Sequence, residues 1–133
     1  MENIQTKYAE LFKHSCYAFC LCYVFSNTTN EWKWLEYISK GIQNYYITED
    51  CFVLNPLDFI EMISGIRYKD VEKPEIKQLL ELPDGPQIVE LKNPFGGSHF
   101  VVCNNKGELL FDAAFPSKSW EMCLPVSYRK FIK

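Results

Sequence analysis

The chain has 133 residues, of which 47% are hydrophobic and 16% aromatic, and its formal net charge at pH 7 is −3. The length suits a single domain over residues 1–133, and the apolar content excludes a disordered chain. Lysines and arginines are scattered without a basic stripe, so we expect no nucleic-acid partner. The longest apolar run, residues 16–25, is too short to cross a bilayer, so we expect no membrane partner.

The first ten residues are polar and mixed in charge, so we expect no secretion signal and a cytoplasmic location. In that setting the six cysteines are expected to be free thiols. His14, Cys16, Cys20 and Cys22 lie close together but lack the paired spacing of zinc knuckles. We therefore expect neither a metal nor another cofactor.

The first part of the chain is predicted to be helical. Residues 3–12 have a weak helical pattern. Residues 16–26 are apolar on nearly every side, which is typical of a helix buried all round, and Ser15 is its predicted N-cap. Three further helices are predicted at residues 31–43 after an Asn30 N-cap, from Pro56 to Gly65, and at residues 74–82.

The second part of the chain is predicted to be an antiparallel sheet. The turn sequence of residues 104–107 joins two extended runs, residues 98–103 and 108–112, into a hairpin. Other strands are predicted at residues 66–73, 87–91 and 126–132. Helices that precede an antiparallel sheet indicate an α+β domain.

Cys16 is predicted to occupy the first position of a helix, where the positive end of the helix dipole stabilises a thiolate. The chain has only two histidines, and His99 begins a predicted strand just after a Gly-Gly loop, where a general base would be accessible. Asp112 ends the partner strand, so it is expected near His99 and could orient the imidazole. Each residue alone also has a structural interpretation: a core thiol, a strand histidine and a turn cap.

Two segments resemble a known superfamily. The segment Ser15-Cys16-Tyr17-Ala18-Phe19 resembles the stretch around the nucleophile of papain-like cysteine peptidases. Their bacteriocin-processing, double-glycine peptidase branch has a histidine strand, a turn and an aspartate strand that are similar to Ser98-His99-Phe100-Val101-Val102, Gly107 and Phe111-Asp112.

The resemblance implies a papain-like cysteine proteinase fold, with N-terminal helices packed on a C-terminal antiparallel sheet. It implies a peptidase-like hydrolase that cleaves a peptide or amide bond through an acyl-enzyme, with a peptide or protein as its substrate. Cys16 would be the nucleophile, His99 the base and acid, and Asp112 the orienting residue of the triad.

The superfamily usually has a glutamine six residues before the nucleophile, as an oxyanion donor, whereas this chain has Glu10. An ionised carboxylate accepts hydrogen bonds and cannot donate them. Glu10 could donate if burial raised its pKa enough to keep it protonated, and Gln5 is a substitute candidate. An alternative function is therefore a catalytically impaired fold that serves as a protein-binding or inhibitory module. Its candidate anchors are aromatic residues, namely Trp32, Trp34, Tyr45, Tyr46 and Trp120. A third hypothesis is a redox-sensing thiol protein that uses Cys16 and Cys20 on adjacent helical turns.

Overall fold

Three helices precede the sheet in the part of the chain that the computed structural model describes, residues 15–94, 97–113 and 123–133. They are α1 (Cys16–Phe25), α2 (Glu31–Gln43) and α3 (Pro56–Ser64). The side chain of Asn30 caps α2 by accepting a hydrogen bond from the Lys33 amide at 3.1 Å. Gly65 ends α3 in the left-handed conformation at φ 76°, which a residue with a Cβ adopts less readily. These local signals confirm two predicted helices. The helix predicted at residues 3–12 lies outside the described residues.

Helix α1 is the buried centre of the fold. Its middle residues, from Ala18 to Cys22, are completely inaccessible to solvent, as its lack of a polar face predicts. Ser15 occupies the N-cap position, but its side chain makes no capping hydrogen bond. That detail of the prediction is wrong because Ser15 already has helical dihedral angles (φ −87°, ψ −9°), whereas a capping side chain needs an extended backbone.

Six strands follow, all paired antiparallel among the described residues. They are β1 (Asp70–Glu72), β2 (Gln87–Lys92), β3 (Ser98–Cys103), β4 (Leu109–Phe111), β5 (Leu124–Tyr128) and β6 (Lys130–Ile132). Four of them form one sheet in the order β4–β3–β2–β5, and β1 pairs with β6 in a second sheet. The domain is therefore α+β.

The helix predicted at residues 74–82 is wrong. The Pro74 carbonyl accepts a hydrogen bond from the Tyr128 amide at 3.1 Å, and the Ile76 amide donates to the Val126 carbonyl at 3.1 Å. These bonds hold the segment extended beside β5, so only a short 3₁₀ turn forms, at Leu79–Glu81. Tertiary backbone pairing has overridden a local helical pattern.

Two predicted strands also differ from the structure. The segment predicted as one strand at residues 126–132 is divided at Arg129, whose amide donates to the Ile88 carbonyl at 2.9 Å. The strand before Arg129 pairs with β2, and the strand after it pairs with β1 in the other sheet. The strand predicted at residues 66–73 is confined to β1, where pairing with β6 is available.

The four-stranded sheet buries apolar side chains on both faces. On one face, Ile88 and Val102 pack with the helices. On the other, Val89 and Val101 pack in a second cluster with residues of the 74–82 segment. Helix α1 packs directly on β3, and this contact positions the functional site. No helix in the described ranges is long and apolar enough to span a bilayer.

Candidate active site

Cys16 is the first residue of α1 and is partly exposed. Two other thiols of the same helix, Cys20 and Cys22, are completely buried, and burial raises the pKa of both. A thiol that remains protonated and covered is a poor nucleophile. Cys16 is therefore the thiol of this helix that combines access to solvent with the positive helix terminus.

The hairpin of β3 and β4 brings His99 to Asp112. Gly107 makes the connecting turn with φ 82°, and Val102 pairs with Phe111. His99 Nε2 lies 2.7 Å from Asp112 Oδ1. The Asp112 side chain is fully covered, and the His99 side chain is 14% exposed. A covered carboxylate at this distance fixes the orientation of the imidazole and stabilises its protonated form.

The Cys16 thiol lines the same cleft as His99 and is, after Asp112, the second group that raises the pKa of the imidazole. Burial lowers the pKa of His99, but the hydrogen bonds and charges of Asp112 and Cys16 outweigh it and raise that pKa from 6.5 to about 9. The imidazole is therefore protonated at neutral pH.

A cleft of about 540 Å³ opens over Cys16 and His99. One wall is apolar and is formed by Phe52, Val53, Leu54, Pro56 and Val71. An antiparallel bridge between Ile47 and Val53 holds part of this wall. The polar lining consists of Lys73, Ser98 and Arg129. A cleft of this size and mixed lining suits a short peptide segment or a molecule of similar size.

The structure brings together Cys16, His99 and Asp112, the three residues that the sequence predicts to form a triad. The two oxyanion candidates, Glu10 and Gln5, lie outside the described residues. Sequence reasoning did not identify the polar lining of the cleft. Arg129 lies inside a predicted strand, and no local motif marks it as a site residue.

The aromatic residues predicted to anchor a protein interface differ in their exposure to solvent. Trp34 is only 3% exposed, and its indole N–H donates to Ser26 Oγ at 3.0 Å and to the Thr28 carbonyl at 2.9 Å. It is a core residue and cannot be an interface anchor, so that prediction is wrong. Trp32 and Tyr45 are 67% and 81% exposed, whereas Tyr46 is half-buried. Trp120 is outside the described residues.

The chain belongs to a family of proteins of unknown function, DUF261, whose profile matches residues 1–132. No curated protein and no solved structure matches the chain.

Proposed function

We propose that this protein is a cysteine hydrolase with a papain-like fold, which cleaves a peptide or amide bond through an acyl-enzyme. The observation that carries the proposal is the position of one imidazole, which contacts a carboxylate and lines a cleft together with a thiol at a helix N-terminus. His99 Nε2 lies 2.7 Å from Asp112 Oδ1, and the Cys16 thiol, which lines the same cleft, also raises the pKa of the ring. A catalytic triad needs a nucleophile, a base and an orienting carboxylate. Cys16, His99 and Asp112 are residues of these three types.

The papain-like fold is supported by the order of the elements. Helix α1 carries the thiol at its N-terminus and packs on β3, which carries His99. Asp112 directly follows β4, the antiparallel neighbour of β3. An N-terminal helix and a C-terminal sheet that meet at a thiol and an imidazole are also what the resemblance of the two sequence motifs implies.

In the first half of the reaction, the Cys16 thiolate attacks the substrate carbonyl carbon and a carbon–sulfur bond forms. The tetrahedral oxyanion collapses, the carbon–nitrogen bond breaks, and the His99 imidazolium gives its proton to the leaving amine. The neutral His99 then takes a proton from a water molecule that attacks the thioester. Collapse of this second intermediate releases the acid and restores the thiolate–imidazolium pair. Asp112 holds the ring throughout, and the Cys16 backbone amide is an oxyanion donor.

Site-resolved alkylation tests the proposal. Iodoacetamide should label Cys16 much faster than Cys123 at pH 6 to 7, and His99→Ala should remove that advantage. Cys123 is the internal control because it is also partly exposed, while burial and then the charge of Asp112 raise its pKa. Equal labelling of the two thiols in the wild type would contradict the proposal. Wild-type turnover of a peptide library, with none in Cys16→Ala, would then identify a substrate.

The alternative function, a binding module without turnover, is favoured by two exposed aromatic side chains. Trp32 and Tyr45 are 67% and 81% exposed, and aromatic residues dominate the energetics of protein interfaces. This function predicts a protein partner whose binding is lost in Trp32→Ala or Tyr45→Ala and retained in Cys16→Ala. Labelling of Cys16 at the rate of an ordinary thiol would favour this function over hydrolysis.

A further inference from the structure

Arg129 is a buried cation in the wall of the cleft that contains Cys16 and His99. It is only 6% exposed, yet it lines the cleft. Placing a charged side chain in a covered position is unfavourable unless other groups compensate the charge. The burial of the Arg129 charge therefore has to be explained by the groups around it, whereas a solvent-exposed arginine is stabilised by water.

The guanidinium is held by the chain neighbours of the nucleophile and the base. Its central carbon lies 6.0 Å from the ring centre of Tyr17 and 5.0 Å from that of Phe100, and the two rings are 4.9 Å apart. Tyr17 follows Cys16, and Phe100 follows His99. A group bound by Arg129 would therefore lie in the same cleft as the bond that Cys16 attacks.

A polar network fixes one side of the guanidinium. Arg129 Nη1 donates to Ser127 Oγ at 3.0 Å, and Nη2 lies 3.5 Å from Glu90 Oε1. Glu90 also accepts from Ser127 Oγ at 3.1 Å and from Ser98 Oγ at 2.9 Å. Burial raises the pKa of Glu90, but these two hydrogen bonds and the Arg129 charge together lower it, so Glu90 is ionised at neutral pH.

The cleft face of this network is basic. Among the described residues that line the cleft there is no carboxylate, whereas Arg129 and the exposed Lys73 both line it. Glu90 is not among the lining residues. The contacts with Ser127 and Glu90 use fewer N–H groups than a guanidinium carries. A planar guanidinium that is held in place by its neighbours is well suited to bind a carboxylate through two parallel hydrogen bonds.

We propose that Arg129 is a specificity-determining residue that binds a carboxylate of the substrate next to the scissile bond, with Lys73 at the edge of the same subsite. The substrate class is then an acidic peptide, with a glutamate or aspartate side chain or a free α-carboxylate beside the bond that Cys16 attacks. This inference rests on the proposed function for its catalytic meaning, but carboxylate binding in the cleft can be measured without turnover.

The first test compares two small alkylating reagents that differ in one group. Iodoacetate and iodoacetamide both lose iodide to a thiolate, but only iodoacetate carries a carboxylate. The ratio of their rate constants at Cys16 should exceed the ratio at Cys123 in the same molecule by about tenfold or more, as expected for a charge-assisted hydrogen bond. Arg129→Gln should bring the Cys16 ratio down towards the Cys123 ratio. The His99 charge is present in both the wild type and Arg129→Gln, so it cancels when the Cys16 ratios of these two proteins are compared.

Glu90→Gln is the matched control. It removes the charge that compensates Arg129, so the ratio at Cys16 should stay the same or rise if the guanidinium attracts the reagent. If Arg129 only supports the fold, Glu90→Gln and Arg129→Gln should lower the ratio alike, and that result would overturn the proposal. Where Arg129→Gln fails to fold, the double variant Glu90→Gln/Arg129→Gln leaves neither charge unpaired and takes its place.

The second test measures binding in Cys16→Ser by thermal shift. The probes are acetyl-Ala-Glu-Ala-amide, acetyl-Ala-Gln-Ala-amide, and acetyl-Ala-Gln-Ala with a free carboxyl terminus. Stabilisation by the first or third peptide, lost in Arg129→Gln, supports the proposal and distinguishes a side-chain carboxylate from a terminal one. Equal shifts with all three peptides, or no shift with any, overturn it. Carboxylate binding with an unreactive Cys16 in the wild type would contradict only the hydrolase function.

Discussion

Asp112 Oδ1 lies 2.7 Å from Nε2 of His99, and the carboxylate is fully covered while the imidazole is still reached by solvent. The two residues are joined by a tight hairpin, so their contact is built into the pairing of two neighbouring strands. The Cys16 thiol comes from a separate helix and lines the same cleft as the His99 ring. The orienting half of the triad is therefore local, and the nucleophilic half depends on the packing of α1 against β3.

Asp112→Asn should preserve the shape of the site and remove its charge. An amide stabilises imidazolium less well, so peptide turnover should fall on the order of 10²- to 10⁴-fold. The iodoacetamide labelling rate of Cys16 near neutral pH should fall with it. The control is Asp84→Asn, at an exposed aspartate that is not among the residues lining the cleft. An unchanged pH profile of Cys16 labelling in Asp112→Asn would show that the carboxylate does not act on the imidazole.

The stability contributed by His99 should depend on pH. Its pKa is raised from 6.5 to about 9, so folding favours the protonated ring. The stabilisation is complete below about pH 6.5 and is lost as the pH rises through about 9, with a total on the order of 3 kcal/mol. Urea unfolding from pH 6 to pH 9.5 should therefore show a stability difference between wild type and His99→Ala that shrinks with pH.

A variant of the nucleophile provides the control for this titration. Cys16→Ser removes one of the interactions that raise the pKa of His99, so the total loss of stability should be smaller and should be complete at a lower pH. If the difference between wild type and His99→Ala were constant across the range, the imidazolium would not be stabilised by its neighbours.

Gly41 should be sensitive to substitution although it lies within a helix. A Cβ at this position would meet Ile47 Cδ1 at 2.8 Å and Phe59 Cδ1 at 3.1 Å, and both side chains are buried. Gly41→Ala should therefore destabilise the fold by about 1–2 kcal/mol, because overpacking outweighs the helix-propensity gain of about 1 kcal/mol. Ser39→Ala, at an exposed position of the same helix, isolates the propensity term and should be neutral or stabilising.

A double-variant cycle tests whether a steric clash with Ile47 is the cause of the destabilisation by Gly41→Ala. Ile47→Val removes the nearest methyl group, so the effect of Gly41→Ala should be smaller in that background. Strict additivity of the two substitutions in chemical denaturation would refute the steric explanation.

Two neighbouring tryptophans should respond differently to the same change. Trp34→Phe removes the donor that serves Ser26 Oγ and the Thr28 carbonyl, and it should lower the free energy of unfolding by about 1–3 kcal/mol. Trp32→Phe, at a site that is 67% exposed, should change it by less than about 0.5 kcal/mol. Equal effects on the thermal midpoint would mean that the indole N–H of Trp34 contributes nothing.

The sequence alone was sufficient to predict those structural features whose determinants all lie within one short segment. Residues 31–43 carry a cap and a helical period, and the structure has α2 at Glu31–Gln43. Residues 98–112 carry two strands and a glycine turn, so the closeness of His99 and Asp112 followed from the hairpin. The predicted position of Cys16 at a helix start agrees with the structure, although the Ser15 cap from which it was predicted does not form. These features are governed by interactions between residues that are close along the chain.

The tertiary structure decided what depends on distant partners. Residues 74–82 follow β5 because their backbone groups bond to Val126 and Tyr128, and no local pattern contains those partners. The division of the last predicted strand at Arg129 depends on pairing with two different sheets. Arg129 and Glu90 meet over 39 positions of sequence, and only their packing beside Tyr17 and Phe100 places a cation in the cleft. Long-range hydrogen bonding and charge pairing become visible only when the chain is folded.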